Sequence, residues 1–353
     1  MTEDQRFMSR CIALAQLGAG TTSPNPMVGA VIVYEGKIVG EGYTSPYGGP
    51  HAEVNAVEAV KINYGEEQAY RLLKQSTVYV SLEPCAHYGK TPPCADMLIR
   101  YAVRRVVVGC QDPFAKVNGL GITKLKDAGI DVEVGVLEEE CRFVNRRFFT
   151  RIAQHRPYVI LKWAETKDGY FAPTGEKQAW ISNKASKQLT HKWRSEEDAI
   201  MVGAATALID NPMLNNRLWS GKSPKRVLID RNLSVPKTTH LLLDDSTDLI
   251  IFNEVKTEWD GHLKYIALEN YDLYLPHNIL YQLYLMDVQS LIIEGGGKTL
   301  NLFIEAGLWD EARVFVGDSV WGAGIKAPTM ELSVAEEISV ASDKLKLYYK
   351  ASS

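Results

Sequence analysis

His51 and Glu53 stand two positions apart, and further along the chain come Pro84-Cys85 and Pro93-Cys94, with eight residues between the cysteines. One imidazole and two thiolates form the protein ligand set of a catalytic zinc site, which keeps a fourth position for water. A metal held there brings the pKa of water toward neutrality. A carboxylate as near as Glu53 can then carry a proton from that water to a ring nitrogen and a leaving amine. His-x-Glu followed by Pro-Cys-x-x-Cys is the pattern of zinc deaminases; the longer cysteine spacing makes this a variant. A structural zinc site with His87 as fourth ligand is the competing reading. Cys11, Cys110 and Cys141 fall on apolar faces and are expected in the core.

A second cluster lies near the far end. Leu291-Ile292-Ile293-Glu294-Gly295-Gly296-Gly297-Lys298-Thr299-Leu300 reads as strand, glycine turn and helix. A helix N-terminus offers unpaired N–H groups to a diphosphate. The run lacks Gly-x-Gly-x-x-Gly, however, and a plain tight turn explains it equally well. Asp210-Asn211-Pro212 reads as a turn.

The elements that must position these residues follow from periodicity. Residues 4–17 carry Phe7, Met8, Cys11, Ile12 and Ala15 at helical spacing. Strand-like runs from Val28 to Tyr34 and Lys37 to Gly42 flank Glu35-Gly36 as a hairpin. A helix is expected from His51 to about Ile62, a strand over Thr77 to Leu82, and a helix after Pro92-Pro93. A strand over Arg105 to Gly109, a helix near 121–128 and a strand near Val132–Val136 complete a first α/β unit. The basic stretch Arg146–Pro157 is expected to hold the boundary, giving domains 1–147 and 148–353. Beyond it, strands are expected at Tyr158–Lys162, Ala199–Val202, Arg226–Ile229, Leu249–Phe252, Leu291–Ile293, Ala312–Val316 and Leu345–Tyr349. Helices are expected at about 184–194, 277–286 and 299–306.

At 353 residues, with 46% apolar and 23% charged, the chain has the length of about two globular domains. Its formal charge of -4 gives a nucleic-acid partner no electrostatic support. No apolar run reaches the ~20 residues of a membrane span, and Met1-Thr2-Glu3-Asp4 lacks the basic start of a signal peptide. Five cysteines, an odd number, suit a reducing compartment, so the expected location is cytoplasmic.

The string from Cys85 to Cys94, with its inserted loop, resembles the deaminase half of the bifunctional riboflavin-biosynthesis deaminase/reductases. Thr22-Ser23-Pro24-Asn25-Pro26-Met27-Val28-Gly29 is similar to that family's substrate-binding segment, and Asp112-Pro113 fits its pattern. The resemblance implies a cytidine-deaminase-like three-layer α/β/α domain. In it His51, Cys85 and Cys94 hold Zn²⁺, Glu53 shuttles protons, and Asn25, His87 and Lys90 contact the pyrimidine or its ribose phosphate. A lysine is a standard phosphate partner.

Leu161-Lys162 to Asp168-Gly169, Trp180-Ile181-Ser182, Asp210-Asn211-Pro212 to Arg217, and Glu294 to Gly297 fall in the order of the family's reductase half. That half implies a dihydrofolate-reductase-like α/β fold. Ala164, Trp180, Thr206, Asp210, Gly296, Gly297, Lys298, Thr299, Leu300, Asn301 and Leu302 match NADPH positions. Gln178, Arg194, Leu214, Arg217 and Glu294 match substrate positions. Arg194 and Arg217 suit a phosphate clamp. Lys162 and Asp210 are candidates for polarising or protonating the ribose oxygen, with a snorkelling strand lysine as the alternative for Lys162.

Departures from the family pattern are Thr44 for a histidine, Phe114 for a polar residue, Trp163 for a small residue, Asn215 for a threonine and Arg231 for a hydroxyl residue. Arg231 could favour a 2′-phosphate. The function implied is hydrolytic deamination of diaminohydroxyphosphoribosylaminopyrimidine, then NADPH-dependent reduction of 5-amino-6-(5-phosphoribosylamino)uracil to the ribitylamino phosphate. The expected partners are these small molecules, with neither nucleic acid nor membrane, in a homo-oligomer. The alternatives are a zinc deaminase of RNA or nucleosides with a non-reducing C-terminal binding domain, a zinc-stabilised scaffold without catalysis, and a degenerate reductase.

Overall fold

The computed structural model describes residues 1–88, 92–114, 117–175 and 179–350. They form two compact units, Met1–Gln154 and His155–Ser353. No helix among the described residues is long and apolar enough to cross a membrane.

The first unit runs α1 (Glu3–Ala15), β1 (Gly29–Tyr34), β2 (Lys37–Tyr43), α2 (Ala52–Tyr64), α3 (Glu66–Gln75), β3 (Thr77–Leu82), α4 (Cys94–Arg100), β4 (Arg105–Cys110), α5 (Leu120–Asp127), β5 (Asp131–Val134), α6 (Glu138–Val144) and α7 (Arg146–Gln154). Its sheet has the order β2-β1-β3-β4-β5, antiparallel at β1 and parallel from β3 onward. A capping box between Thr2 and Gln5 starts α1, which buries Phe7, Met8, Cys11 and Leu14. Two glycines show how the layers close. A Cβ on Gly29 would lie 2.0 Å from the Cys11 carbonyl oxygen, and one on Gly42 would lie 2.5 Å from that of Ala52. Gly29 pairs with Tyr43 and Gly42 with Ala30, so these two positions face opposite sides of the sheet. The chain backs of α1 and α2 therefore press on opposite faces, in an α/β/α arrangement.

In the first unit α3, α6 and the boundary stretch differ from the sequence expectation. α3 was not expected: its short Ala69, Leu72, Leu73 stripe is interrupted by charged and polar residues. The stretch read as a basic boundary is helical to Gln154. Its arginines hide an apolar pair, Phe148 and Ile152, one turn apart.

The second unit runs β6 (Tyr158–Glu165), β7 (Tyr170–Ala172), α8 (Lys184–Glu196), β8 (Ala199–Gly203), α9 (Ala204–Asp210), β9 (Lys225–Ile229), α10 (His240–Leu243), β10 (Leu249–Asn253), β11 (Glu258–Asp260), β12 (Leu263–Ala267), α11 (Leu275–Leu285), β13 (Ser290–Gly295), α12 (Gly297–Glu305), β14 (Glu311–Val316), β15 (Ile325–Lys326), β16 (Glu336–Val340) and β17 (Asp343–Tyr349). The large sheet has the order β11-β12-β10-β9-β8-β13-β6-β14-β17-β16. From β12 to β14 it is parallel throughout, and its borders are antiparallel. Apolar residues cover both faces: Leu161, Trp163, Leu291 and Ile293 on one, Ile160, Ile292 and Phe315 on the other. That is why the central strands read as unbroken apolar runs. The border strands β11 and β16 are exposed and charged and carry no such signal.

Candidate active sites in the two units

The approach of α2 to β2 across Gly42 fixes the start of that helix. His51 is its N-cap and Glu53 lies in its first turn, with Glu53 4% exposed. Cys94 opens α4, and its backbone N–H donates to the Cys85 sulfur at 3.2 Å. His51 Nδ1 is 3.7 Å from Cys85 Sγ and 3.4 Å from Cys94 Sγ. A tetrahedral zinc bonded to nitrogen and sulfur separates those atoms by about 3.6 Å, so the donor set fits that ion. Among the described residues the metal-ligand cluster is His51, Cys85 and Cys94. His87 lies outside it, edge-on to Phe114. A site closed by His87 is therefore not the arrangement seen.

Electrostatics separates the four groups. The Cys94 thiol and the His51 imidazole hold the Cys85 thiol down at about 4. Cys94 is pushed up by its bond to Cys85 and by burial. The Cys85 sulfur holds His51 at about 9. Burial, reinforced by Cys85, lifts Glu53 to about 7. A carboxyl poised near neutrality can both take and give a proton at cellular pH.

His51, Glu53 and Cys85 open onto a cavity of about 290 Å³ that Asn25, Thr44, His87, Asp112, Phe114, Phe148 and Arg151 help to line. Lys90 lies outside the described residues. The Thr44 hydroxyl accepts the Val28 N–H at 3.0 Å, which ties β2 to the start of β1. Of the charged lining residues, Glu83 and Arg151 were not singled out from the sequence, and Asp112 was read only as part of Asp112-Pro113. Glu83 accepts N–H groups from Asp112 and Gly119 at 3.2 and 2.9 Å. Its other oxygen accepts from Gly121 and Ile122 at 2.9 and 3.2 Å. One carboxylate, two residues from Cys85 in sequence, thus anchors the backbone at Asp112, Gly119, Gly121 and Ile122. The signal was present as Leu-Glu-Pro-Cys followed by Gly119-Leu-Gly121. Burial raises Asp112 to about 6.

In the second unit the site gathers at the carboxyl ends of β6, β8 and β13, where open parallel sheets bind ligands. A cavity of about 420 Å³ is lined by Lys162, Trp180, Arg194, Thr206, Asp210, Leu214, Arg217 and Glu294, together with Lys187, His191 and His240, which the sequence reading did not include. Gln178 lies outside the described residues. Ala164 and Gly296 through Leu302 are not among the lining residues.

Arg194 grips Glu294 in bidentate fashion at 3.0 and 2.7 Å, and Lys162 Nζ is 3.9 Å from the same carboxylate. Burial alone would raise Glu294, but Arg194 and Lys162 outweigh it and hold the acid at about 2. Burial lowers Lys162 against that attraction and raises Asp210. His191 Nδ1 accepts the Arg217 N–H at 3.2 Å. Burial, with Arg194 and Arg217 nearby, drops that imidazole to about 4.

Three departures from the family pattern find their places here. Asn215 accepts from Arg194 through its carbonyl at 3.1 Å and from Arg217 through its side chain at 3.0 Å. Trp163 turns into the core with its indole N–H on Glu165 at 2.9 Å, on the face opposite Lys162 and Ala164. Arg231 is held between Glu254 and Asp272, so its charge is met within the protein.

For a dinucleotide, the chemistry of the donor set is also right. The nine-residue α12 begins at Gly297 with Gly296 as cap at φ +60°. A Cβ on Gly296 would lie 3.1 Å from Thr206 Oγ1, and one on Gly203 2.6 Å from Thr299 Oγ1. Bare backbone and first-turn N–H groups thus meet where Thr206 enters the cavity. The Leu300 side chain is wholly in the core, so only its backbone could face a cofactor.

Comparison with known proteins finds one family model for each unit. Residues 1–110 match the family model described as the cytidine and deoxycytidylate deaminase zinc-binding region. Residues 157–345 match that of the RibD C-terminal domain. The chain is 39% identical to the riboflavin biosynthesis protein RibD of Aquifex aeolicus, over 97% of this chain and 95% of the relative. It belongs to the RibD family. RibD of Escherichia coli is 34% identical over 91% of this chain and 89% of its own. A crystal structure of a diaminohydroxyphosphoribosylaminopyrimidine deaminase/5-amino-6-(5-phosphoribosylamino)uracil reductase from Thermotoga maritima superposes with a TM-score of 0.88 at 34% identity, covering 98% of each chain. RibD proteins are bifunctional deaminase/reductases of riboflavin biosynthesis, and this chain carries both halves: a zinc-binding deaminase region in its first unit and the RibD reductase domain in its second.

Proposed function

We propose that the first unit deaminates diaminohydroxyphosphoribosylaminopyrimidine and that the second uses NADPH to reduce the resulting 5-amino-6-(5-phosphoribosylamino)uracil to its ribitylamino form, both in the cytoplasm. The single observation that carries the reading is the His51, Cys85 and Cys94 triangle with Glu53 buried beside it. Five free cysteines suit a reducing compartment.

His51, Cys85 and Cys94 would hold zinc, which when bound supplies a Lewis acid that makes water nucleophilic near neutral pH. Glu53 takes the proton of the attacking water, passes it to the ring nitrogen, and delivers a proton to the departing ammonia. Asn25 and His87, at the cavity wall, and Lys90 are assigned to orient the pyrimidine and its ribose phosphate. In the second cavity Glu294 holds Arg194 and Lys162 in place, and Lys162 with Asp210 is assigned to donate a proton toward the ribose oxygen. Gln178, Leu214 and Arg217 are assigned to the substrate. Trp180, Thr206, Ala164 and the segment Gly296 to Leu302 are assigned to NADPH.

The test is Glu53→Gln. Ammonia release should fall by about 10²–10⁴-fold while zinc stays bound and NADPH oxidation with supplied deaminated substrate continues. Undiminished ammonia release would remove Glu53 from the mechanism.

A further inference from the structure

Around Asn25 the backbone has few hydrogen-bond donors. Pro24 and Pro26 carry no N–H, and each ring fixes its own φ. From Pro24 to Met27 the backbone donors are therefore those of Asn25 and Met27. The Asn25 N–H closes a local turn on the Thr22 carbonyl at 2.9 Å. The Met27 N–H goes instead to a side chain far along the sequence. It donates to Asn145 Oδ1 at 2.8 Å, and Asn145 Nδ2 donates back to the Met27 carbonyl at 2.8 Å. A carboxamide presents the same donor and acceptor as a peptide unit. The pair thus forms a two-point bridge just before β1 begins at Gly29.

Asn145 stands between α6 and α7 and is 2% exposed. The next two N–H groups also end on buried side chains: Val28 donates to Thr44 at 3.0 Å and Gly29 to Ser81 at 3.1 Å. Three consecutive residues are thus tied down by three separate parts of the first unit. Asn145 grips closest to Asn25, since Met27 is two positions on with one proline between. Asn25 sits between two rings of fixed φ, so a shift at Met27 is passed to Asn25 rather than absorbed. Pro24, Asn25 and Pro26 line the metal cavity, and Asn145 is not among the described residues that line it.

We propose that Asn145 is a positioning residue of the deaminase: by fixing Met27 it sets the Pro24-Asn25-Pro26 edge against which the pyrimidine is bound. It acts through Asn25 and does not itself meet the substrate. The inference rests on reading Asn25 as a substrate contact of this cavity.

The experiment is a double-mutant cycle in the full-length protein: wild type, Asn145→Ala, Asn25→Ala and the double variant. Ammonia release from diaminohydroxyphosphoribosylaminopyrimidine is followed beside zinc content. A misplacement of about 1 Å costs on the order of a hundredfold, so Asn145→Ala should lower kcat/KM by about ten- to a hundredfold with zinc retained. In the Asn25→Ala background the same change should cost no more than about twofold, because residues acting through one contact are not additive. A residue serving the fold alone would give equal losses in both backgrounds. Full activity in Asn145→Ala, or equal losses in the two backgrounds, overturns this inference alone. Asn145→Asp keeps the side chain's shape and its acceptor for the Met27 N–H, but as a carboxylate it cannot donate to the Met27 carbonyl. It takes the place of Asn145→Ala in the cycle should that variant lose its zinc, and loss of zinc from both overturns the inference as well. A wild type that releases no ammonia from this substrate, or an Asn25→Ala protein as active as wild type, overturns the reading of the cavity and this inference with it.

Discussion

The metal cavity draws its four reactive groups from the start of α2 and the segment joining β3 to α4, all between residues 51 and 94. The reductase cavity draws its charged groups from β6, α8, α9, the loop after α9 and β13, between residues 162 and 294. In the first, burial acts on groups that share protons, so Glu53 rises and the two thiols split apart. In the second, burial acts on a carboxylate flanked by cations, and Glu294 is driven down to about 2. A compact ligand triangle can be written into a short motif. A charge balance distributed over five elements exists only once the sheet has formed. The first site gathers three metal-ligand side chains and a buried carboxyl, and the second holds a fixed set of paired charges.

The widest test of this contrast removes a metal ligand. Cys94→Ser should strip the zinc and cut ammonia release on the order of a thousandfold or more, because the Lewis acid is lost. Each cavity is lined by residues of one unit, so NADPH oxidation with supplied deaminated substrate should persist. Metal analysis beside both assays checks this, and a parallel loss of the two activities would break the contrast.

Next in size is Glu294→Gln. It leaves Arg194 and Lys162 without their carboxylate in a site where those side chains are 11% and 16% exposed. Breaking such a buried pair costs about 3–5 kcal/mol, so thermal unfolding of the second unit should come markedly earlier and reduction should fail. A melting temperature equal to the wild type would show that the charge balance contributes nothing.

The smallest effect sharpens the picture by pH. His191 has its pKa lowered in the folded state from 6.5 to about 4. The unfolded chain therefore takes up this proton first, and the stability tied to the neutral ring is intact above pH 6.5. It is lost as pH falls through 4, by up to about 3 kcal/mol. His191→Asn keeps an acceptor for the Arg217 N–H but cannot charge. Its urea midpoint should decline less than the wild type's between pH 7 and 5; identical slopes would rule out the neutral imidazole.

What was legible in the sequence follows the same division. The zinc ligands and Glu53 were readable because their chemistry is local, and the parallel strands because both of their faces are apolar. Lys187 and His191 went unnoticed because a cationic helix face looks like a solvated one until Arg194, on that same face, is seen paired with Glu294. α7 was read as part of the boundary stretch because five of its nine residues are arginine, threonine or glutamine set among the apolar ones, and nothing local says which side is covered. Glu83 escaped because its four backbone partners lie about 30 to 40 residues downstream. Trp163, read as a departure from the family pattern, is turned into the core by strand alternation.

The place of α7 bears on any attempt to dissect the polypeptide. Phe148 and Ile152 wall the metal cavity, so a fragment ending at residue 147 would lose that wall and expose an apolar hollow to solvent. An excision meant to yield a self-contained hydrolytic piece has to keep the chain through Gln154.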